Sequence, residues 1–228
     1  MVGALTDQRV ASAIASGGTS TDCIYKAIEK QIQKYACSGA VLDYGAGRGV
    51  LTRKLIESGR FTEVKAVDLW PIPPQIQGVQ WISQDLNEPS SLPEQSFDLV
   101  VAAEVIEHLE NPRFVVRQLF RLCKPGGRII LTMPNNESIR SLIALVVRGH
   151  HVAFDDSCYP AHITALLRKD LTRIFHEAGF ETPNFSYTLR GALPGFTRFN
   201  WQGLSMGMLD GVLFRDGILA TAARPREF

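Results

Sequence analysis

The stretch that most constrains the fold is residues 41–51, VLDYGAGRGVL, where an apolar run breaks on three glycines and resumes as a helical pattern. A strand over 40–44, a turn over 45–49 and a helix over 50–58 form the opening of a parallel α/β sheet, because parallel strands need a crossover and a helix is the usual one. Glycine at 45, 47 and 49 lets the backbone turn sharply and approach a ligand closely. Val50 stands where a dinucleotide fingerprint wants glycine or alanine, which argues against a nicotinamide enzyme. Asp43, just before the loop, lies on the floor of the expected site, where a carboxylate suits a cationic ammonium better than a pyrophosphate.

The alternation continues. Strands are expected over 63–68, 79–82, 97–103 and 128–133, and a helix over 112–123 is stopped by Pro125, Gly126 and Gly127. Five strand-and-helix steps result, with helices on both faces and ligand loops at the strands' carboxyl ends. Ahead of them, residues 1–20 are small and polar without a period, while Ile24, Ile28 and Ile32 mark a helix over 21–36. The rhythm lapses after Pro134 until a helix over 169–178, a strand over 185–189 and a final strand over 218–222 behind the Asp216-Gly217 turn. The expected organisation is an N-terminal helical segment, 1–38, and a Rossmann-like α/β domain, 39–228, with a lid at about 134–168.

Composition narrows the function. With 228 residues, 24 basic against 23 acidic side chains and a net charge of +1, the chain reads as one ordinary globular domain, and its bulk charge gives nucleic acid no support. Cys23, Cys37, Cys123 and Cys158 include no C-x-x-C pair, so neither a zinc ribbon nor a disulfide framework is expected and reduced thiols in a cytoplasmic setting follow. Asp7, Gln8 and Arg9 interrupt any secretory signal, and no run has the length of a transmembrane helix. The short apolar run 142–147 reads as a buried helix face rather than a lipid contact.

Two further acids follow the second and third strands. Asp68 lies where a carboxylate can accept both ribose hydroxyls, and Asp85 can meet an exocyclic amine. With these in place, the chain resembles the class I S-adenosylmethionine-dependent methyltransferases over about residues 39–133. The resemblance rests on VLDYGAGRG, VKAVD, QDL, FDLVVAAEVIEHLENP and LCKPGGRIILTMPN, in family order. It implies a doubly wound, seven-stranded, mostly parallel sheet with an antiparallel last strand, and S-adenosylmethionine as cofactor. By the same resemblance Asp43, Gly45, Ala46, Gly47 and Gly49 hold the methionine portion, Asp68 the ribose, and Asp85 with Leu86 the adenine. Leu69 and Glu104 complete that set.

Methyl transfer from a sulfonium asks a protein mainly to align, to exclude water and to remove a proton. His108 is the expected general base because an unperturbed imidazole titrates near neutrality, with Glu107 beside it and His162 as a further catalytic candidate. The E-x-x-E-H spacing of Glu104, Glu107 and His108 also resembles the metal motif of ubiquinone-pathway O-methyltransferases and small-RNA 2′-O-methyltransferases. That implies a magnesium site for which Glu104, Glu107, His108 and His162 are candidates. His150, His151, Asp155, Asp156 and Tyr159 add polar groups to the expected lid, and Phe196, Phe199 and Trp201 are candidates to line an acceptor pocket. The lid histidine followed by an apolar helix and AGF is similar to methyltransferases of sugars, lipid-linked glycans and natural products. The expected reaction is methylation of an oxygen, with nitrogen or carbon second, on a small molecule or glycan. The alternatives are a non-catalytic cofactor-binding scaffold and an RNA 2′-O-methyltransferase.

Overall fold

The computed structural model describes residues 2–71 and 73–226. Its elements are α1 (Val2–Ala15), α2 (Asp22–Lys34), β1 (Gly39–Tyr44), α3 (Val50–Glu57), β2 (Phe61–Asp68), β3 (Gln80–Ser83), β4 (Phe97–Ala103), α4 (Pro112–Leu122) and β5 (Cys123–Pro134). Then come α5 (Ile139–Arg148), α6 (Arg168–Ala178), β6 (Asn184–Thr188), a small hairpin of β7 (Ala192–Leu193) and β8 (Phe196–Asn200), α7 (Trp201–Leu204) and β9 (Gly217–Ala223).

Seven strands form one sheet in the order β3-β2-β1-β4-β5-β9-β6. The first five are parallel, and β9 runs antiparallel to both β5 and β6, as the family resemblance implied. Side-chain alternation drives the two-sided packing: Leu42, Val100 and Ile129 join the layer made with α4 and α6, whereas Val41, Leu99, Val101 and Ile130 join the layer made with α2 and α3. The strand order reverses between β1 and β4, and in such sheets the ligand crevice opens there, beyond the strands' carboxyl ends.

Three sequence readings change. The connections from β2 to β3 and from β3 to β4 hold no helix among the described residues, so the expected five strand-and-helix steps are interrupted. Pro71, Pro73 and Pro74 in one link and Pro89 and Pro93 in the other work against a helix. Residues 2–15, which show no periodicity, form α1, held by tertiary contacts: Arg9 pairs with Asp85, Glu88 and Glu110, and the Ser12 hydroxyl donates to the Pro160 carbonyl. The apolar run 142–147 is helical, but only its Ala144 is buried; Val146 and Val147 are 85% and 75% exposed.

Candidate active site

The site starts at the glycine loop. Asp43 ends β1 wholly buried, with its Oδ2 accepting a 2.6 Å hydrogen bond from Thr52 in the first turn of α3. Burial pushes its carboxyl up to about 7 against that bond. The Gly47 amide donates to Asp68 Oδ2 at 2.7 Å, and the Trp70 amide donates to Oδ1 at 2.6 Å, so the acid closing β2 is locked to the loop leaving β1. Burial raises the Asp68 carboxyl and these amides oppose the rise. Gly47 has φ +52°, and a Cβ there would press into the Gly18 carbonyl. That carbonyl accepts from the Arg48 amide at 2.8 Å, which brings the N-terminal segment onto the loop.

Above the loop lies a cavity of about 460 Å³. Asp43, Gly45, Ala46, Gly47 and Asp68 form its floor, Glu104, His108, His162 and Leu189 its wall, and Ala13, Ser16 and residues 18–21 its roof. A recess of about 150 Å³ shares Ala13 and His108 with it and is walled by Leu69, Asp85, Leu86 and Asn87. Here Asp85, while walling the recess, also accepts from Arg9 of α1 at 2.9 Å. Gly49 and Glu107 line neither: Gly49 caps α3, and Glu107 is buried. Of the expected lid, only His162 reaches the larger cavity, whereas Tyr159, Pro160 and Ile163 border the recess. The N-terminal roof escaped the sequence reading, and the glycine pair at 17 and 18 was its one local signal.

A turn at the end of β4 carries Glu104, Glu107 and His108, the catalytic and metal candidates. Glu104 adopts φ +55°, a left-handed conformation rare for a residue with a side chain, and its amide donates to the Thr132 hydroxyl at 3.0 Å. Glu107 is 1% exposed, and neither carboxylate oxygen has a hydrogen-bond partner. Burial, reinforced by Glu104, holds its carboxyl well above the usual range, while burial takes the Glu104 carboxyl to about 7. His108 is pushed down to about 4, chiefly by burial, so it is a neutral ring at pH 7 and not the near-neutral titrating base that an unperturbed histidine would be.

The segment around residue 162 is tied to this turn. Glu107 O accepts from the Ile163 and Thr164 amides at 2.9 and 3.0 Å, and His108 Nδ1 lies 2.9 Å from the Ala161 carbonyl. His162 Nδ1 meets the Ala153 carbonyl at 2.6 Å; a carbonyl only accepts, so Nδ1 is the donor and Nε2 is left out of this contact. The two imidazoles cross edge-on at 4.7 Å. Ligand atoms of Glu107, His108 and His162 all lie within 4.8 Å of one another, and Glu104 is outside this group. The two unpartnered side-chain oxygens of Glu107 beside two imidazoles fit a divalent cation, with more nitrogen than magnesium ordinarily takes.

Other candidates sit elsewhere. Phe196 and Phe199 are 68% and 58% exposed on the hairpin, and Trp201 packs against Phe214, so none of the three lines the cavity. His151 pairs with the Ser141 hydroxyl at 3.0 Å, and Asp155 caps its own turn through Ser157.

Carboxylates at the ends of β1 and β2, a glycine loop between them and a further acid after β4 converge on one cavity, and residues 24–183 match a family described as a methyltransferase domain. The chain belongs to this methyltransferase-domain family. It is 30% identical over 147 residues to a ubiquinone biosynthesis O-methyltransferase of Xanthomonas oryzae pv. oryzae, covering 56% of this chain and 60% of that one. The chain thus spans less than two thirds of that relative's length. In fold it is similar to a Burkholderia thailandensis 1,6-didemethyltoxoflavin-N1-methyltransferase solved with S-adenosylhomocysteine (TM-score 0.63, 17% identity, 98% of this chain and 88% of that one). It is also similar to the [4+2]-cyclase SpnF (TM-score 0.59, 16% identity, 89% and 81%). The methyltransferase domain has no helix long and apolar enough to cross a membrane among the described residues.

Proposed function

We propose that this methyltransferase domain transfers a methyl group from S-adenosylmethionine to an oxygen of a small hydroxylated molecule. The observation that carries the reading is the convergence of Asp43, Asp68, Asp85 and Glu104 on two adjoining cavities. Such a surface favours a ligand rich in hydrogen-bond donors and carrying an ammonium, rather than an anion. In this reading Asp43 and the glycine loop face the amino-acid end, Asp68 the ribose, and Leu69, Asp85 and Leu86 the adenine.

The bound cofactor supplies an electrophilic methyl group; the chain positions the acceptor, excludes water and takes a proton. The α1 roof and residues 18–21 do the excluding. The Glu104 carboxyl is the proton acceptor the geometry offers when Glu107, His108 and His162 hold a cation, and His162 Nε2 is the second acceptor only when they do not. Oxygen is preferred over nitrogen or carbon because Glu107, His108 and His162 form a group able to hold a cation that polarises a hydroxyl. A near-neutral chain gives no support to an RNA acceptor.

Calorimetry with S-adenosylmethionine, its demethylated product and NAD, followed by transfer of labelled methyl to a panel of phenols and catechols, tests this. Binding of the first two ligands without NAD, and methylation at oxygen, is expected. A folded sample that binds neither sulfur ligand contradicts the reading; binding without transfer to any acceptor favours the scaffold alternative.

A further inference from the structure

Helix α5 is amphipathic in an unusual sense. Ser141 and Ala144 face inward, and the opposite side carries Leu142, Ile143, Val146 and Val147, a stripe at positions i, i+1, i+4 and i+5 whose members are 41% to 85% exposed. The β7–β8 hairpin and the segment after it add Phe196, Phe199, Leu204, Met206 and Met208, each at least 58% exposed. The two regions spring from one point: Asp216 pairs with Arg140 of α5 and accepts from the Ala192 amide that begins the hairpin.

Their charge is one-sided. Residues 138–154 and 188–209 contain no aspartate or glutamate, and Arg148, Arg190 and Arg198 are exposed with no ion pair among the described residues. In a two-fold dimer this patch would face itself and set those arginines against one another, with acids only beyond the segments' ends, among them Asp155, Asp156 and Asp210. Apolar side chains rimmed by unpaired arginines instead match the boundary between acyl chains and anionic headgroups. We propose that α5 and the β7–β8 hairpin form a docking surface for an anionic lipid bilayer. Leu189, which immediately precedes Arg190, lines the main cavity. The docking itself does not depend on the proposed reaction.

The test is flotation of the full chain with vesicles of phosphatidylglycerol and phosphatidylcholine, against vesicles of phosphatidylcholine alone. Partition onto the anionic vesicles, weakened by high salt, is expected. Variants V146S/V147S and R148E/R198E are each expected to lower the partition coefficient by about tenfold or more, with unchanged circular dichroism. No partition by the unaltered chain, or partition of both variants equal to that of the unaltered chain, overturns the proposal. So does a self-association of the unaltered chain that V146S/V147S disperses while vesicles fail to bind, since that assigns the patch to a second copy. Should the double variants misfold, Val147→Trp supplies an independent readout: a blue-shifted difference emission with anionic vesicles is expected, and an unshifted one overturns the proposal.

Discussion

Arg9 on α1 lies 2.9 Å from Asp85, the acid that follows β3, and the same guanidinium reaches Glu88 at 2.8 Å and Glu110 at 2.9 Å. One side chain therefore fastens the roof helix to the loops after β3 and β4. Arg9 and Asp85 are 14% and 13% exposed, so this pair is the part least screened by solvent; Glu88 and Glu110 are half exposed and add less. Arg9→Ala is expected to cost about 1 kcal/mol of stability and, more tellingly, to unfasten α1. Hydrogen exchange should show the amides of α1 losing protection while those of β4 and β5 keep theirs. Equal protection of α1 in both proteins would contradict the clamp.

Gly47→Ala places a methyl group against the Gly18 carbonyl at a backbone angle L-residues avoid. A loss of about 1–3 kcal/mol in denaturant melts is expected. Because seating the methyl group shifts the loop and draws the residue 47 amide off Asp68, the affinity for S-adenosylhomocysteine should fall by at least about tenfold in calorimetry. An unchanged melt would mean that the roof yields freely.

Buried carboxyls set the pH dependence of the ligand-free protein. Asp43 rises from 3.8 to about 7 and Glu104 from 4.5 to about 7, both chiefly by burial. Across that window the unfolded chain has released these protons and the folded chain still holds them, so the two carboxyls lower stability as pH rises, and together they outweigh His108, whose depression to about 4 works the other way below its ordinary value. The slope is at most about 1.4 kcal/mol per pH unit for each group. Urea melts between about pH 5 and pH 7 should show the decline, and Asp43→Asn or Glu104→Gln should flatten it. Stability rising over this range would contradict the assignment.

Glu107→Gln separates the two roles of the buried turn. Burial, reinforced by Glu104, raises the Glu107 carboxyl and so disfavours its charged form, and a neutral amide of the same shape should leave the thermal midpoint almost unchanged. Binding of manganese or zinc, read by calorimetry on EDTA-treated protein, should disappear in the variant. Equal cation binding by both proteins would remove Glu107 from the ligand set.

The sequence by itself determined the sheet and the placing of acids at its strand ends. VLDYGAGRG, Asp68 and Asp85 are local signals: each acid sits where an apolar strand stops, and a glycine loop between strand and helix needs no long-range information to be read. The antiparallel last strand and the order of the motifs followed from the family resemblance in the same way.

Tertiary structure decided the rest, because it depends on which surfaces meet. Helix α1 has no apolar period and exists through Arg9 and Ser12, whose partners lie far away in the chain. His162 joins Glu107 and His108 only because two amides of the 161–164 segment bind the Glu107 carbonyl. The same folding buries His108 and takes away the near-neutral titration its composition alone promised. An apolar run such as 142–147 is identical in sequence whether it faces a core or the outside, and only the packing of Ser141 and Ala144 turned its greasy side outward.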